Sequence, residues 1–284
     1  MNEAKLDPRI HAYRADLADG TLRALIEAPR YVEPVMRQCV RGVVPVLAEP
    51  KPNAKQVSQI RYGEFLDVFE TRDDGFAWVQ NRIDRYVGYA LSEGVFSDTI
   101  ADLSFRINAL RTFVYPEPDM KSPPIDELTL GAFVQPGERH GEFVGLPSGG
   151  YVFAGHILPA AESLTPDYVF TAGRLLASPY LWGGRTPKGI DCSGLVQLAL
   201  DMAGWDAPRD ADQQREAFGR PLEGHWRDIG WQRGDLVFFP GHVGLMTGPD
   251  HIIHANPQTM GVTVEPLFDL AIRRRDVLAM GRLN

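Results

Sequence analysis

Short β-type runs that return at a regular interval constrain the first half of the chain. Between about residues 31 and 160, runs of β-branched and aromatic residues such as 65–70 and 76–80 recur about every 8–12 positions, with turns such as 73–75 between them. Glycine (28) and proline (22) together make up about 18% of the 284 residues, above the roughly 12% of average proteins. This pattern favours a small barrel or sandwich of short strands over a helical bundle.

The order of these runs repeats once along the chain. Residues 112–115 resemble the opening run at 43–48, and residues 150–154 resemble residues 85–89. We therefore predict two small barrels in tandem. The predicted bounds are 31–97 for the first barrel and 98–160 for the second, with an N-terminal arm or short helix at 1–30.

The pattern changes to helices alternating with strands at about residue 161. Thr165 is the expected N-cap of a first helix. A glycine-rich loop follows at 181–190, and an apolar stripe predicts a second helix over 193–203, which Gly204 ends. Three strands are expected after that, at residues 235–239, 242–247 and 251–255. The last domain is therefore predicted to be α+β and to span residues 161–284.

Charge and hydropathy argue against two classes of partner. The net charge is −8, and there is no basic stripe of the kind that binds nucleic acid. The longest uncharged run, residues 143–161, contains four glycines and two prolines, which a membrane-spanning helix would not tolerate in such number. We expect neither a nucleic acid nor a membrane as partner.

The cysteine count and the N-terminal sequence bear on the compartment. The chain has two cysteines, Cys39 and Cys192, too few for the disulfide framework of a secreted protein. Residues 1–8 lack the apolar core of a signal peptide. We therefore expect a cytoplasmic protein.

Cys192 is the candidate nucleophile. It lies between the glycine-rich loop and the second predicted helix, so its thiol would face unpaired backbone N–H groups and the positive end of the helix dipole. Both favour the thiolate, and we expect a lowered pKa for Cys192. The alternative is a small buried apolar residue, which is the role we assign to Cys39.

His242 and His254 are the candidate base and its orienting partner. A turn at 248–250 joins their two predicted strands, and pairing of Thr247 with His251 would bring the two histidines to diagonal positions on one face. A hydrogen bond from His254 would then fix the tautomer of His242, as a nucleophilic site requires. The alternative is two unrelated histidines on a hairpin.

A zinc site built from Cys192 and three histidines is the competing interpretation of the same residues. His251 and His254 are three apart on a strand and point to opposite faces. The spacing also lacks the paired cysteines or the His-Glu-x-x-His pattern of common zinc sites. We therefore expect neither a metal nor an organic cofactor.

Five short sequences in the last domain together resemble a known family. They are Pro-Tyr-Leu-Trp-Gly-Gly at 179–184, Asp-Cys-Ser-Gly-Leu-Val at 191–196, Gly-Asp-Leu-Val-Phe-Phe at 234–239, His-Val-Gly-Leu at 242–245 and Ile-His-Ala at 253–255. In this order they resemble the catalytic domain of the NlpC/p60 family of papain-like cell-wall peptidases. The sequences at 62–64 and 86–89 resemble the bacterial SH3-like barrels of one subgroup. The resemblance implies two N-terminal SH3-like β-barrels followed by a papain-like α+β cysteine peptidase domain.

The resemblance also implies a reaction. The subgroup hydrolyses the bond between γ-D-glutamate and a diamino acid, meso-diaminopimelate or L-Lys, in muropeptides with a free N-terminal L-Ala. Because residues 1–8 lack the apolar core of a signal peptide, we expect a role in peptidoglycan recycling rather than in remodelling of the intact wall. Cys192 would be the nucleophile, His242 the general base and His254 the third polar residue. The backbone N–H of Cys192 and the hydroxyl of Tyr180 would stabilise the oxyanion. Two alternatives stay open: an amidase or acyltransferase with the same triad, and a non-catalytic muropeptide-binding module.

The resemblance further implies a set of substrate-binding residues. Glu64 of the first barrel would bind the free amine of the substrate, with Tyr86 nearby. The others would border the cleft of the peptidase domain, and they are Asp191, Ser193, Trp182, Asp210 and Ala211. Structural alternatives are a surface carboxylate for Glu64, a helix N-cap for Asp191, and core aromatic residues for Tyr180 and Trp182. Tyr89 departs from the tryptophan that is common at its barrel position.

Overall fold

The computed structural model describes residues 6–98, 101 and 104–283. Residues 1–5 of the predicted N-terminal arm, residues 99–100 and 102–103 of the predicted second barrel, and Asn284 lie outside the described residues. The chain forms two compact units, Met1–Ala160 and Ala161–Asn284. None of the helices in the described part has the length and apolarity that a membrane-spanning segment requires.

The first unit consists of short strands and two turns of 3-10 helix. Its strands are β1 (Ala18–Asp19), β2 (Tyr31–Val32), β3 (Val35–Cys39), β4 (Val43–Leu47), β5 (Gln56–Arg61), β6 (Phe65–Thr71), β7 (Phe76–Asn81), β8 (Val87–Leu91), β9 (Phe96–Ser97), β10 (Phe105–Ile107), β11 (Arg111–Val114), β12 (Asp126–Thr129), β13 (Phe133–Val134), β14 (Arg139–His140), β15 (Phe143–Gly145), β16 (Tyr151–Phe153) and β17 (Ile157–Pro159). The 3-10 turns are Gly20–Leu22 and Ala154–His156. Within residues 6–30, the described part of the predicted N-terminal arm, the first of them is the only helical turn.

One seven-stranded sheet accounts for the region of the first predicted barrel. Its strand order is β5-β4-β8-β7-β6-β3-β9, and all its pairs are antiparallel. Shifts of register between Val46 and Leu47 and between Val68 and Glu70 mark irregularities, which bend strands and let a sheet curve. The curved sheet encloses an apolar cluster that includes Cys39, Ile60 and Leu66.

The region of the second predicted barrel has its own apolar cluster, which includes Ile107, Leu128 and Val152. Its strands form three separate small sheets, in the orders β13-β10-β17, β11-β12 and β14-β15-β16. These strands have two to four residues each, too few for a continuous ladder across the region. A second SH3-like barrel is therefore not confirmed.

The second unit places helices against an antiparallel sheet. Its elements are α1 (Tyr168–Arg174), β18 (Arg185–Thr186), β19 (Gly189–Ile190), α2 (Cys192–Asp201), α3 (Ala211–Phe218), a 3-10 turn (Trp226–Asp228), β20 (Leu236–Phe239), β21 (His242–Met246), β22 (His251–Asn256), β23 (Gly261–Pro266), α4 (Leu267–Arg274) and β24 (Ala279–Gly281). The main sheet has the order β23-β22-β21-β20-β24. The second predicted helix and the three predicted strands correspond to α2, β20, β21 and β22.

Two features of this unit position its helices. The N-cap of α1 is Asp167, whose carboxylate accepts a hydrogen bond from the backbone N–H of Phe170 at 3.0 Å. The expected cap, Thr165, lies two residues too early, because an aspartate side chain next to the helix takes that place. Helix α2 is buried from Cys192 to Leu200 and contacts β21 and β22, so the sheet fixes its first turn.

Candidate active site

Cys192 is the first residue of α2, where the preceding loop and strand β21 meet. Asp191 is the N-cap, and its carboxylate accepts hydrogen bonds from the backbone N–H groups of Gly194 and Gly183, both at 2.8 Å. The buried sulfur of Cys192 is hydrogen-bonded to the backbone of Val243, which places it beside the start of β21. The predicted position of this cysteine on the first turn of a helix is therefore confirmed.

A close approach of two backbone segments explains the glycine two residues after the cysteine. A Cβ on Gly194 would lie 2.1 Å from the carbonyl oxygen of Gly184. Only a residue without a side chain fits there, so the glycine-rich loop packs directly on the first turn of α2. This contact sets the path of the loop around Cys192.

The protonation state of Cys192 differs from the expectation. Burial, and then the negative charge of Asp191, raise the pKa of the Cys192 thiol to about 12. The backbone hydrogen bonds from Val243 and Ser193 lower that pKa, but by less than burial raises it. The predicted low pKa is therefore wrong for the protein without substrate: desolvation outweighs the helix terminus, and the resting thiol is neutral.

The strand register predicted for the two histidines is confirmed. Leu245 of β21 pairs with Ile253 of β22, and this register makes His242 and His254 diagonal neighbours on adjacent strands. Nε2 of His242 lies 2.8 Å from Nδ1 of His254. Both side chains are buried, so this hydrogen bond is shielded from water.

Both histidines are neutral at pH 7. Burial lowers the pKa of His242 well below 6.5, and the nearby charges of Arg274 and His254 lower it further. Burial also lowers the pKa of His254, against the opposing effect of Glu265. A neutral imidazole can take a proton, so His242 has the state that a general base needs.

Glu265 is a neighbour of this pair that the sequence patterns did not single out. Its Oε1 lies 2.7 Å from Nε2 of His254, and Arg273 of α4 donates a hydrogen bond to its Oε2. Glu265 lies on β23, which pairs with β22 throughout its length. The sequence indicates this contact only through the presence of a carboxylate on the strand that follows β22. The contact can be inferred only after β23 has been recognised as a strand that pairs with β22.

Arg209 is a second residue of the site that was not among the predicted site residues, although the resemblance placed its segment, 208–211, along the cleft. It is fully buried, and its guanidinium donates to both carboxylate oxygens of Asp191, at 3.0 and 2.7 Å. It also donates to the hydroxyl of Ser193 at 3.0 Å. Asp191 is thus a helix cap held by an arginine, and Asp191 and Ser193 flank Cys192 within one buried network.

Tyr180 and Trp182 lie on the loop before Cys192. Tyr180 is half-buried and forms a bridge with Ile190. Burial, and then the electrostatic influence of Cys192 and Asp191, raise its pKa, so its hydroxyl stays protonated and can donate a hydrogen bond. Trp182 is 55% exposed, so the alternative of a core aromatic residue is wrong for it.

Asp210 and Ala211 lie at the start of α3. Asp210 is the N-cap, and its backbone N–H donates to the side chain of Gln213 at 3.2 Å. Gln214 of the same helix donates to the carbonyl oxygen of Ser193 at 2.9 Å. This hydrogen bond brings the start of α3 to the first turn of α2, and Asp210 and Ala211 are both partly exposed there.

Glu64 and Tyr86 lie together in the first unit. The Glu64 carboxylate is fully buried, receives Nε of Arg61 at 2.8 Å and the side-chain amide of Asn81 at 2.6 Å, and is not the surface carboxylate of the structural alternative. The backbone N–H of Asn81 donates to the carbonyl oxygen of Tyr86 at 2.9 Å, and the Tyr86 side chain is buried. In this arrangement Arg61 already neutralises Glu64, and an amine-binding role for Glu64 stays a prediction.

His251 does not join the other two histidines. Its exposed ring contacts the carboxylate of Asp250 at 2.9 Å, at the beginning of β22. His242 and His254 are buried further along the sheet. The structure therefore joins His242 and His254 on the strands against which α2 packs, without the third histidine of the zinc alternative.

Comparisons with known proteins bear on the identity of this site. Residues 177–280 match the model described as NlpC/P60 family, and residues 46–95 match the model described as bacterial dipeptidyl-peptidase Sh3 domain. A protein of Lysinibacillus sphaericus named dipeptidyl-peptidase 6 is 32% identical over 230 residues, which cover 74% of this chain and 83% of that protein. A γ-D-glutamyl-L-lysine dipeptidyl-peptidase of Bacillus subtilis (strain 168) is 37% identical over 110 residues, which cover 36% of this chain and 34% of that protein.

A solved structure shares the fold. The crystal structure of an NlpC/P60 family protein from Bacillus cereus ATCC 10987 matches with a TM-score of 0.72 and 17% identity, covering 87% of this chain and 99% of that one. At this identity the likeness shows the fold alone. The sequence relatives and the matched models carry the assignment further: this chain is a hydrolase with an SH3 domain that belongs to the NlpC/P60 family of cell-wall peptidases.

Proposed function

We propose that this protein is a cysteine endopeptidase that cleaves the γ-D-glutamyl–diamino acid bond of muropeptides with a free N-terminal L-Ala, in peptidoglycan recycling. The observation that carries the proposal is the buried 2.8 Å hydrogen bond between His242 and His254 beside the N-terminus of the helix that begins with Cys192. The Bacillus subtilis relative is named a γ-D-glutamyl-L-lysine dipeptidyl-peptidase, and this name supports cleavage of the γ-D-glutamyl bond.

The proposed reaction begins with a neutral thiol and a neutral imidazole. The sulfur of Cys192 attacks the γ-carbonyl carbon of the D-glutamyl residue while its proton passes to His242. The negative charge on the carbonyl oxygen is stabilised by the backbone N–H of Cys192 and the protonated hydroxyl of Tyr180. Because burial raises the pKa of the thiol to about 12, proton transfer accompanies attack rather than preceding it.

The second half of the reaction reverses the proton flow. His242 gives its proton to the amine of the departing diamino acid as the carbon–nitrogen bond breaks, which leaves a thioester on Cys192. A water molecule then loses a proton to His242 and attacks the thioester, releasing L-Ala-γ-D-Glu and restoring the thiol. His254 keeps the ring of His242 in place through both halves.

A separate part of the proposal is that the substrate must have a free N-terminal amine. It rests on the resemblance of the first barrel to the SH3-like domains of the subgroup, with Glu64 and Tyr86 as the residues concerned. Because Arg61 and Asn81 both hydrogen-bond the Glu64 carboxylate, the ammonium group of the substrate would have to displace one of them. Comparing the rates of cleavage of free and N-acetylated substrates, in wild type and in Glu64→Gln, tests this part separately.

Product analysis by mass spectrometry tests the reaction. With L-Ala-γ-D-Glu-meso-diaminopimelate and its L-Lys counterpart as substrates, we expect L-Ala-γ-D-Glu and the free diamino acid from wild type and intact tripeptide from Cys192→Ala. Transfer of the dipeptide to an added amine would indicate the acyltransferase instead. Intact tripeptide from wild type that nevertheless binds the protein would favour the muropeptide-binding module.

We also propose that the protein acts in the cytoplasm, on muropeptides taken up from the wall. Both cysteines are free thiols, and the reaction needs Cys192 reduced, as a reducing compartment keeps it. Cell fractionation followed by immunodetection checks this location. Recovery of the protein only outside the cytoplasmic membrane would contradict it.

A further inference from the structure

The hydrogen-bonded series that begins at His242 continues beyond His254. In β23, Thr263 lies opposite His254 and Glu265 lies opposite Ile252, so Glu265 is the diagonal neighbour of His254 on the same face. The Glu265 carboxylate lies 2.7 Å from Nε2 of His254. Three adjacent strands, β21, β22 and β23, thus each contribute one residue to the series.

The charge on Glu265 decides where the proton of His254 lies. Burial raises the pKa of Glu265, but hydrogen bonds from Arg273 and His254 outweigh burial and lower it, so the carboxylate is ionised at pH 7. An ionised carboxylate only accepts hydrogen bonds. Nε2 of His254 must therefore carry the proton, and the neutral ring presents the lone pair of Nδ1.

The same reasoning gives the position of the proton on His242. Its Nε2 faces the lone pair of His254 Nδ1 at 2.8 Å, so Nε2 of His242 must be the donor. A neutral imidazole carries one proton, which leaves Nδ1 of His242 as the lone pair. That nitrogen is the one free to take the proton of a thiol.

We propose that Glu265 is a positioning residue of this site: through His254 it fixes the tautomer of His242 that can accept a proton from Cys192. The inference deepens the proposed peptidase function and rests on it. Without the carboxylate, His254 can carry its proton on Nδ1 and donate it to Nε2 of His242. Nδ1 of His242 would then hold the proton and could not act as base.

Other charged groups near the series come from α4. Arg273 hydrogen-bonds the second oxygen of Glu265, and Arg274 acts on His242 and His254 through its positive charge. The amide of Asn256 reaches Oε1 of Glu265 at 3.5 Å. Among these groups Glu265 is the one with a hydrogen bond to His254. The tautomer of His254 therefore depends on Glu265.

The experiment compares Glu265→Gln with a matched control on the same strand. The hydroxyl of Thr263 is buried opposite His254 and has no hydrogen-bond partner among the described residues, so Thr263→Val tests the surroundings without touching the series. On L-Ala-γ-D-Glu-meso-diaminopimelate we expect kcat to fall roughly 10–100-fold in Glu265→Gln, as for other residues that orient a ligand or base. KM should change little, and Thr263→Val should keep the wild-type kcat.

A spectroscopic measurement separates this inference from the proposed reaction. With 15N-labelled histidine, two-bond 1H–15N correlation spectra should show, in wild type at pH 7, an unprotonated Nδ1 on His242 and an unprotonated Nδ1 on His254. Glu265→Gln should add the opposite tautomer, whereas Glu265→Asp, which keeps the carboxylate, should retain more of the wild-type pattern. This reading stands whether or not the tripeptide is cleaved, so failure of the proposed reaction remains distinguishable.

Three results would overturn the inference. The first is a wild-type spectrum with the proton of His242 on Nδ1. The second is a folded Glu265→Gln variant, judged by its thermal unfolding, with the wild-type histidine spectrum and kcat. The third is an equal loss of kcat in Glu265→Gln and Thr263→Val, which would assign the effect to packing.

Discussion

The two cysteines of this chain are both buried but differ in the residues that surround them. Burial raises the pKa of both Cys39 and Cys192 to about 12. Cys39 lies among apolar residues such as Ile60 and Leu66, whereas Cys192 lies beside Val243 at the start of the strand that carries His242. A neighbouring histidine, rather than the resting pKa, therefore distinguishes the proposed nucleophile Cys192 from Cys39.

The parallel extends to the carboxylates near each sulfur. The charge of Glu64 raises the pKa of Cys39 and the charge of Asp191 raises that of Cys192. Each carboxylate is buried against an arginine, Arg61 in the first unit and Arg209 in the second. The two regions thus use the same buried ion pair, but only one of them places it at a helix N-terminus beside two histidines.

Replacing each cysteine by alanine gives the largest expected contrast. Cys192→Ala should lower kcat roughly 10⁴-fold or more, because no other group can form the acyl intermediate. Cys39→Ala should keep kcat but lower the free energy of unfolding by about 1–2 kcal/mol, since a buried side chain is shortened. Steady-state kinetics and urea unfolding check both, and a folded Cys39→Ala variant without turnover would break the comparison.

Replacing Arg61 and Arg209 tests how the two buried ion pairs differ. Arg209→Met and Arg61→Met each leave a buried carboxylate unpaired, so each should lower the free energy of unfolding by about 3–5 kcal/mol. Only Arg209→Met should also reduce kcat per folded molecule, because Asp191 caps the helix that begins with Cys192. Urea unfolding and active-site titration at low temperature measure the two effects; an equal loss of kcat in both variants is the contrary result.

The smallest expected effect concerns pH. Burial holds the pKa of His242 well below 6.5 and lowers that of His254. Between these lowered pKa values and the pKa of about 6.5 in the unfolded chain, the unfolded chain therefore binds more protons than the folded one. The free energy of unfolding should therefore fall as the pH drops below about 6.5. His242→Gln should flatten this slope in urea titrations from pH 7 to pH 5, and an unchanged slope would show that His242 is not the group responsible.

The acid limb of kcat/KM should follow the same pKa. Because His242 must be neutral to take the thiol proton, activity should persist below pH 6.5 and fall only as His242 becomes protonated at lower pH. A pH–rate profile of wild type measures this. An acid limb centred above pH 6.5 would mean that another group limits the rate.

Local patterns were sufficient for much of the second unit. The apolar stripe of α2 is visible in the sequence, and the turn at 248–250 fixes the register that joins His242 to His254. These features depend on residues close together in the chain. The same holds for Asp191, whose role as an N-cap follows from its position before the helix.

What the sequence could not provide depends on contacts between distant segments. Burial of the Cys192 sulfur depends on how α2 packs on β21, so the sign of its pKa shift could not be read from the helix position. Glu265 meets His254 only through the pairing of β22 with β23. The alternative of a surface carboxylate for Glu64 is excluded only by Arg61 and Asn81, which hydrogen-bond its buried carboxylate.

Asp191 joins three separate segments of the peptidase unit: the glycine-rich loop, the first turn of α2 and the segment before α3. Its two oxygens accept from the amides of Gly183 and Gly194 and from the guanidinium of Arg209. Neither amide can reach solvent while this side chain stays in place, so both should open in one step. In native-state hydrogen exchange the loop, the first turn of α2 and the segment before α3 would then behave as a single cooperative unit.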